Sequence, residues 1–93
     1  MKISCHLLIS GSVQGVFFRA NTRDIANSLF LSGWVKNLPD GKVEVMASGE
    51  KENIEKLIEW CKKGPRGADV SNVEIEYGDS IDEFKGFQII YFR

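Results

Sequence analysis

The sequence predicts an α+β fold in which two helices lie on one face of a mainly antiparallel sheet. Segments of alternating apolar and polar residues, typical of strands, are interleaved with two segments whose apolar residues recur at helical spacing. Their order is strand, helix, strand, strand, helix, strand, followed by a terminal strand. Two such halves fold as a ferredoxin-like split βαβ sandwich with a sheet of four to five strands. Because 93 residues, 43% of them hydrophobic, can form one core, we expect a single domain over residues 1–93.

The first half of the chain predicts one strand followed by one helix. From Ile3 to Ile9 the odd positions are apolar, which predicts a strand with one buried face that ends at Ser10-Gly11. The next apolar stripe has helical spacing and predicts a helix that Gly33 can terminate. This stripe consists of Phe18, Thr22, Ile25, Ala26 and Leu29.

A hairpin and a second helix follow. Trp34 to Leu38 is short and extended, and Lys42 to Ser48 alternates again. Between them Pro39-Asp40-Gly41 is a turn sequence, so the two segments form a hairpin. A second helical stripe runs from about Glu50 to Lys63 and is stopped by Gly64-Pro65. This stripe consists of Ile54, Leu57, Ile58 and Cys61.

The end of the chain predicts two more strands and raises an alternative function. Alternation around Val73 to Tyr77 predicts a fourth strand, and Phe87 to Phe92 predicts a fifth. The segment from Lys85 to Phe92 also looks like the aromatic strand motif of RNA-recognition domains, which share this architecture. However, Gln88 and Ile89 replace the small and aromatic residues of that motif, and no further helix and strand follow. The RNA-binding alternative is therefore disfavoured.

Composition and charge exclude several classes of protein. The 12 basic and 13 acidic side chains leave a formal net charge of −1, which argues against the extended basic surface of a dedicated nucleic-acid binder. The sequence has no apolar run long enough to cross a membrane, and the N-terminal segment is a poor signal peptide. Cys5 and Cys61 have no Cys or His companions at zinc-ligand spacing. We therefore expect a cytoplasmic protein without a metal ion, and free buried thiols rather than a disulfide.

The loop between the first strand and the first helix, Ser10 to Arg19, is the most informative segment. Gly11 and Gly15 permit backbone conformations closed to other residues, and a tight loop that leads into a helix can direct consecutive amides at one anion. Arg19, in the first helical turn, can add a planar pair of donors for phosphate or carboxylate oxygens. The spacing alone favours the more ordinary interpretation, a glycine-containing turn beside an exposed arginine. It matches neither of the common nucleotide-binding glycine motifs.

At these residues the sequence closely resembles the acylphosphatase family. The family signature Gly-x-Val-Gln-Gly-Val-x-Phe-Arg is matched from Gly11 to Arg19 at every specified position. A second family motif, Gly-Trp-Val-basic-Asn before a turn, is matched from Gly33 to Asn37. The helix stop at Gly64-Pro65 and the closing strand from Phe87 to Phe92 also look like the family. The resemblance therefore covers nearly the whole chain.

The resemblance implies a metal-free enzyme without cofactors that hydrolyses small acyl phosphates to carboxylate and inorganic phosphate. It implies that Arg19 grips the phosphoryl group and that Asn37 orients the attacking water. It also implies a phosphate-binding loop of backbone amides, contributed by Gln14, Gly15, Val16, Phe17 and Phe18. We expect a monomer that binds a small acyl phosphate, with phosphate as product and competitive inhibitor, and that binds neither nucleic acid nor membrane.

Asn37, His6 and the domain as a whole also have interpretations that involve no catalysis. Asn37 before Leu-Pro-Asp-Gly is also ordinary turn chemistry. His6 alternates out of phase with the apolar face and has no acidic neighbour in register, so we expect a solvated histidine without a role. The whole domain could be a non-catalytic ferredoxin-like module that binds RNA or a phosphorylated ligand, because this architecture serves many functions. Turnover of an acyl phosphate separates the enzyme from the module.

Overall fold

The computed structural model describes residues 1–91, and these residues form one mixed sheet and two helices. The five strands lie in the order β4-β1-β3-β2-β5, antiparallel except for the pairing of β2 with β5. The strands and helices are β1 (Lys2–Ser12), α1 (Phe18–Ser28), β2 (Ser32–Asn37), β3 (Val43–Glu50), α2 (Lys51–Lys63), β4 (Asp69–Asp79) and β5 (Phe87–Ile89). Both helices pack on one face of the sheet, which confirms the predicted ferredoxin-like α+β fold. Within residues 1–91 neither helix is long and apolar enough to cross a membrane.

The core lies between the sheet and the helices, where periodicity placed it. On β1 the side chains of Cys5, Leu7 and Ile9 are buried, as the alternation predicted. The predicted stripe of α2 is buried against them, and on α1 the buried members of the stripe include Phe18 and Ala26. Alternation and helical spacing therefore predicted the faces correctly, because each element has one face toward a shared core.

The first helix ends earlier than the sequence predicted. Its last residue is Ser28, and Gly33, the predicted terminator, lies inside β2. The amides of Phe30 and Leu31 bond back to carbonyls of the last helical turn at 3.1 and 2.9 Å, which forms a Schellman motif. Phe30 takes the left-handed conformation, φ 57°, that this motif usually gives to glycine. The prediction was wrong because a phenylalanine occupies the position where glycine is the usual signal.

The hairpin agrees with the prediction, and β5 is shorter than predicted. The turn between β2 and β3 is closed by Leu38 N donating to Lys42 O at 2.8 Å. β5 ends at Ile89, although Ile90 N still donates to Val35 O of β2 at 2.9 Å. The remainder of the predicted fifth strand reaches Phe92, which lies outside the described residues.

His6 has acidic neighbours that the sequence did not predict. Its Nε2 lies 2.6 Å from Oε2 of Glu44, and Lys36 Nζ lies 3.6 Å from the other oxygen of that carboxylate. Glu44 is paired with Leu8 rather than with His6, so the contact runs diagonally from β1 to β3. The expectation of a histidine without an acidic neighbour is therefore wrong: Glu44 contacts His6 diagonally, and Glu76 lies directly opposite it on β4. Both neighbours depend on strand pairings that no local spacing reveals.

Cys5 and Cys61 are buried free thiols, as predicted. Burial raises the pKa of Cys5 to about 12, against a smaller lowering by a hydrogen bond with the Ala47 backbone. Burial also raises the pKa of Cys61, and its interaction with Cys5 raises it further. Both thiols therefore stay protonated in the folded protein at neutral pH.

Candidate active site

The candidate site lies at the sheet edge where β1, β2 and β5 end. β1 and β2 are both antiparallel to β3, and β5 is parallel to β2, so the carboxyl ends of all three strands meet at one edge. The loop from Val13 to Phe17 leaves β1 at this edge and leads into α1. A cavity of about 300 Å³ opens there. It is lined by Val13, Gly15, Phe17, Phe18, Arg19, Ala20, Asn37, Ile89 and Tyr91.

The backbone of this loop leaves its amides free. Gly15 has φ +77°, a conformation that glycine adopts without strain, and Phe17 is left-handed at φ 62° although it carries a side chain. Phe17 is the N-cap of α1 and makes no side-chain capping bond. Among residues 1–91, no carbonyl or side chain accepts a hydrogen bond from the amides of residues 14–18. The unpaired donors and the positive end of the helix dipole make this loop a candidate anion-binding site.

Arg19 brings the only charged side chain to the cavity lining within the described residues. Its guanidinium carbon lies 5.3 Å from the ring centroid of Tyr91, a distance at which a cation and an aromatic face attract. Within residues 1–91 no carboxylate lies within 4.0 Å of it, whereas Arg23, one turn further on, pairs with Asp24 at 3.1 Å. The first turn of α1 also contains no acidic residue. Among the described residues, Arg19 therefore gives the cavity a positive charge that no nearby carboxylate neutralises.

Asn37 ends β2 and faces the same cavity. Its Oδ1 is buried and has no hydrogen-bond partner, the only buried side-chain nitrogen or oxygen of residues 1–91 in that condition. A buried acceptor without a partner is unfavourable by about 1–3 kcal/mol, so such an atom calls for a ligand or a water molecule. The cavity is therefore lined by an unpaired acceptor, Asn37 Oδ1, and by the donor side chain of Arg19.

Gln14 connects these two parts of the site through its side chain. Nε2 donates to Leu38 O at 2.8 Å and to Lys42 O at 2.9 Å. Both carbonyls belong to the turn that directly follows Asn37. The sequence indicated only a backbone role for Gln14, and no local spacing could have revealed bonds to a segment more than twenty residues away.

The structure brings most of the predicted site residues to the cavity. Arg19, Asn37 and the loop residues Gly15, Phe17 and Phe18 line it, and Gln14 and Val16 do not. Sequence reasoning missed Val13, Ala20, Ile89 and Tyr91 as lining residues. Ile89 and Tyr91 reach the cavity because β5 pairs in parallel with β2, which no local signal in the chain specifies. Among residues 1–91 no three His, Cys, Asp or Glu side chains are grouped closely enough to hold a metal ion.

Comparison with known proteins agrees with this geometry. The sequence model of the family described as Acylphosphatase matches residues 5–89. The chain belongs to the acylphosphatase family. An acylphosphatase of Pelotomaculum thermopropionicum is 49% identical over 90 residues, which cover 97% of this chain and 98% of that protein. An acylphosphatase of Acaryochloris marina is 54% identical over 83 residues, which cover 89% of this chain and 88% of that protein.

Solved acylphosphatases have the same fold. The crystal structure of the Bacillus subtilis enzyme matches with a TM-score of 0.92 at 31% identity, covering 96% of this chain and 99% of that chain. The likeness extends over both helices and the sheet, so the described residues carry the complete acylphosphatase architecture.

Proposed function

We propose that this acylphosphatase hydrolyses the carboxyl-phosphate anhydride of small acyl phosphates without a metal ion, using Arg19, the loop amides and Asn37. One observation carries the proposal: a single cavity combines unpaired amide donors and a guanidinium with a buried acceptor that lacks a partner. Donors suit the phosphoryl oxygens, and the acceptor suits a water molecule. Arg19 and Asn37 are the proposed catalytic residues.

The proposed phosphate-binding elements are Arg19 and the amides of residues 14–18. Phosphoryl transfer depends mainly on positioning and on stabilising charge at the three equatorial oxygens. Donors that are fixed before the substrate arrives lose little energy in reorganisation, and one well-aimed donor is worth roughly 10²- to 10³-fold in rate. The left-handed conformation of Phe17 places a local strain of about 1–2 kcal/mol at the N-cap of α1, where this proposal puts the phosphoryl group.

Asn37 orients the attacking water in this proposal. Its buried Oδ1 accepts a hydrogen bond from the water and directs the water oxygen at phosphorus. A new bond forms between that oxygen and phosphorus while the bond from phosphorus to the acyl oxygen breaks, and the carboxylate leaves with the electron pair. A carboxylate leaves without being protonated, and a phosphoryl oxygen takes the proton of the water. No protein acid or base is needed.

The cavity favours a small ligand over a polyanion. Its volume of about 300 Å³ lies at the lower end of the range for ligand sites, roughly 300–1,000 Å³. On the open face of the sheet, Glu44 and Glu74 flank Leu8 across the strands, which disfavours the binding of RNA to that face. We therefore propose that the site takes small acyl phosphates and releases phosphate, which is also a competitive inhibitor. We further propose that the protein is a single-domain cytoplasmic monomer.

Phosphate release from acetyl phosphate and benzoyl phosphate, measured with a metal chelator present, tests the proposal. We expect turnover of both substrates, unchanged by the chelator and inhibited competitively by inorganic phosphate. No turnover above the spontaneous rate would favour the non-catalytic binding module. Turnover that the chelator abolishes would contradict the metal-free mechanism while keeping the reaction.

A further inference from the structure

The side chain of Gln14 links the phosphate-binding loop to the strand end that carries Asn37. We propose that Gln14 is a positioning residue, which fixes the distance between the bound phosphoryl group and the water held by Asn37. The inference rests on the proposed function and adds a role that the backbone amides do not supply. Gln14 does not line the cavity, so its side chain acts through its neighbours.

The carboxamide of Gln14 is held in one orientation. A primary amide has two N–H donors, and both are used, one on Leu38 O at 2.8 Å and one on Lys42 O at 2.9 Å. The two acceptors lie at opposite ends of the turn between β2 and β3. Gln14 therefore fixes both the position and the tilt of this turn relative to the loop, and Asn37 directly precedes the turn.

The turn does not need Gln14 to close. Leu38 N donates to Lys42 O at 2.8 Å, and Gly41 N donates to Leu38 O at 3.1 Å. Each carbonyl oxygen has two lone pairs, so each accepts one bond inside the turn and a second from Gln14. Loss of the Gln14 bonds leaves both carbonyls with a partner. What is lost is the connection between the loop and the turn, rather than the turn itself.

The expected consequence is a defect in turnover rather than in phosphate binding. The loop amides and Arg19 lie on one continuous segment, so they bind phosphate without help from the turn. The water held by Asn37 must be aligned with phosphorus, and a displacement of about 1 Å in such an alignment costs on the order of 10²-fold in rate. Loosening the connection therefore lowers kcat and leaves the inhibition constant of phosphate nearly unchanged.

The first test replaces Gln14 by methionine, which has a similar length and cannot donate. We expect kcat of Gln14→Met for benzoyl phosphate to fall roughly 10- to 100-fold, with the inhibition constant of phosphate changed by less than about 3-fold. Gln88→Met, the same change at an exposed glutamine of β5, is the matched control and keeps parental kinetics. Circular dichroism checks that each variant is folded.

The outcomes separate this inference from the proposed function. An active parent with unchanged kcat in Gln14→Met overturns the positioning role alone. A fall of equal size in phosphate affinity also overturns it, because the defect would then lie in the loop itself. A parent without acyl phosphate turnover overturns the proposed function, and the inference falls with it.

A second variant gives a readout that a merely structural role would not move. The carboxylate of Gln14→Glu faces two carbonyl oxygens and cannot donate, whereas its protonated form donates one hydrogen bond. We expect kcat of Gln14→Glu relative to Gln14→Met to rise as the pH falls from 7 toward 5. Asp40 and Lys42, the ionisable residues of the turn, are present in both variants, so the ratio isolates the introduced carboxyl group. A ratio that does not change with pH contradicts the role of the donated bonds.

Discussion

The two strand-to-helix junctions occupy equivalent positions in the two halves of the fold, and only one of them carries the proposed site. At the second junction α2 begins directly after β3, because Glu50 is both the last strand residue and the N-cap, in an extended conformation. At the first junction the loop from Val13 to Phe17 is inserted, and Phe17 caps α1 in a left-handed conformation. The architecture therefore supplies two similar helix N-termini that the chain uses differently.

The difference lies in what satisfies the positive end of each helix. The first turn of α2 contains Glu52, whose carboxylate compensates the helix dipole from within the protein. The first turn of α1 contains no acidic residue, and Arg19 adds positive charge there instead. The proposed anion site therefore lies at the helix N-terminus that has no acidic residue in its first turn and that follows a glycine-containing loop.

Loss of Arg19 should have the largest effect on the first strand-to-helix junction, which carries the proposed site. We expect Arg19→Ala to lower turnover of benzoyl phosphate by roughly 10³-fold and to abolish inhibition by phosphate, because charge-assisted donors are lost at the phosphoryl group. Arg23→Ala, one turn further along α1, removes an arginine that already pairs with Asp24 and serves as the control. A fully active Arg19→Ala variant would refute the proposed mechanism.

Removing Asn37 should separate turnover from binding. We expect Asn37→Ala to lower kcat by about 10²-fold and to leave the inhibition constant of phosphate within about 3-fold, since in the proposed mechanism Asn37 holds the water and not the anion. Asn72→Ala, at an exposed position of β4, is the control and keeps both constants. Parallel losses of turnover and phosphate affinity would instead place Asn37 among the phosphate ligands.

Giving α1 the acidic first turn of α2 sharpens the comparison. Ala20 lies in that turn and lines the cavity. We expect Ala20→Glu to raise the inhibition constant of phosphate roughly 10-fold, because an added negative charge repels the anion over a few ångströms. Ala20→Gln has nearly the same shape without the charge and should change this constant much less. Equal effects of the two variants would indicate a steric cause.

A substitution at the end of α1 should have the smallest effect, and that effect should be on stability and not on turnover. Phe30 is 91% exposed and left-handed, so its side chain contributes little packing while the backbone is strained. We expect Phe30→Gly to stabilise the fold by about 1 kcal/mol and to raise the melting temperature by about 4–8 °C, with unchanged turnover. Calorimetry measures the shift. A lower melting temperature would mean that the Phe30 ring packs against the protein in solution.

Local patterns predicted the elements well and their ends less well. The alternation in β1 and the stripe of α2 correspond to buried faces, because one repeated spacing controls which side chains meet the core. The end of α1 differs because Phe30 adopts a conformation that its residue type disfavours, stabilised by main-chain bonds of the last turn. The length of β5 depends on its pairing with β2, which is remote in the chain.

The sequence by itself determined the fold class, the glycine-containing loop and the position of Arg19 at the start of α1, because all three follow from local spacing. Only the tertiary structure decided that Asn37 Oδ1 is buried without a partner in the same cavity, and that Gln14 reaches the turn beside it. Asn37 ends β2, Gln14 follows the end of β1, and β3 lies between these two strands. Their proximity therefore depends on the order and direction of strands, which no spacing along the chain encodes.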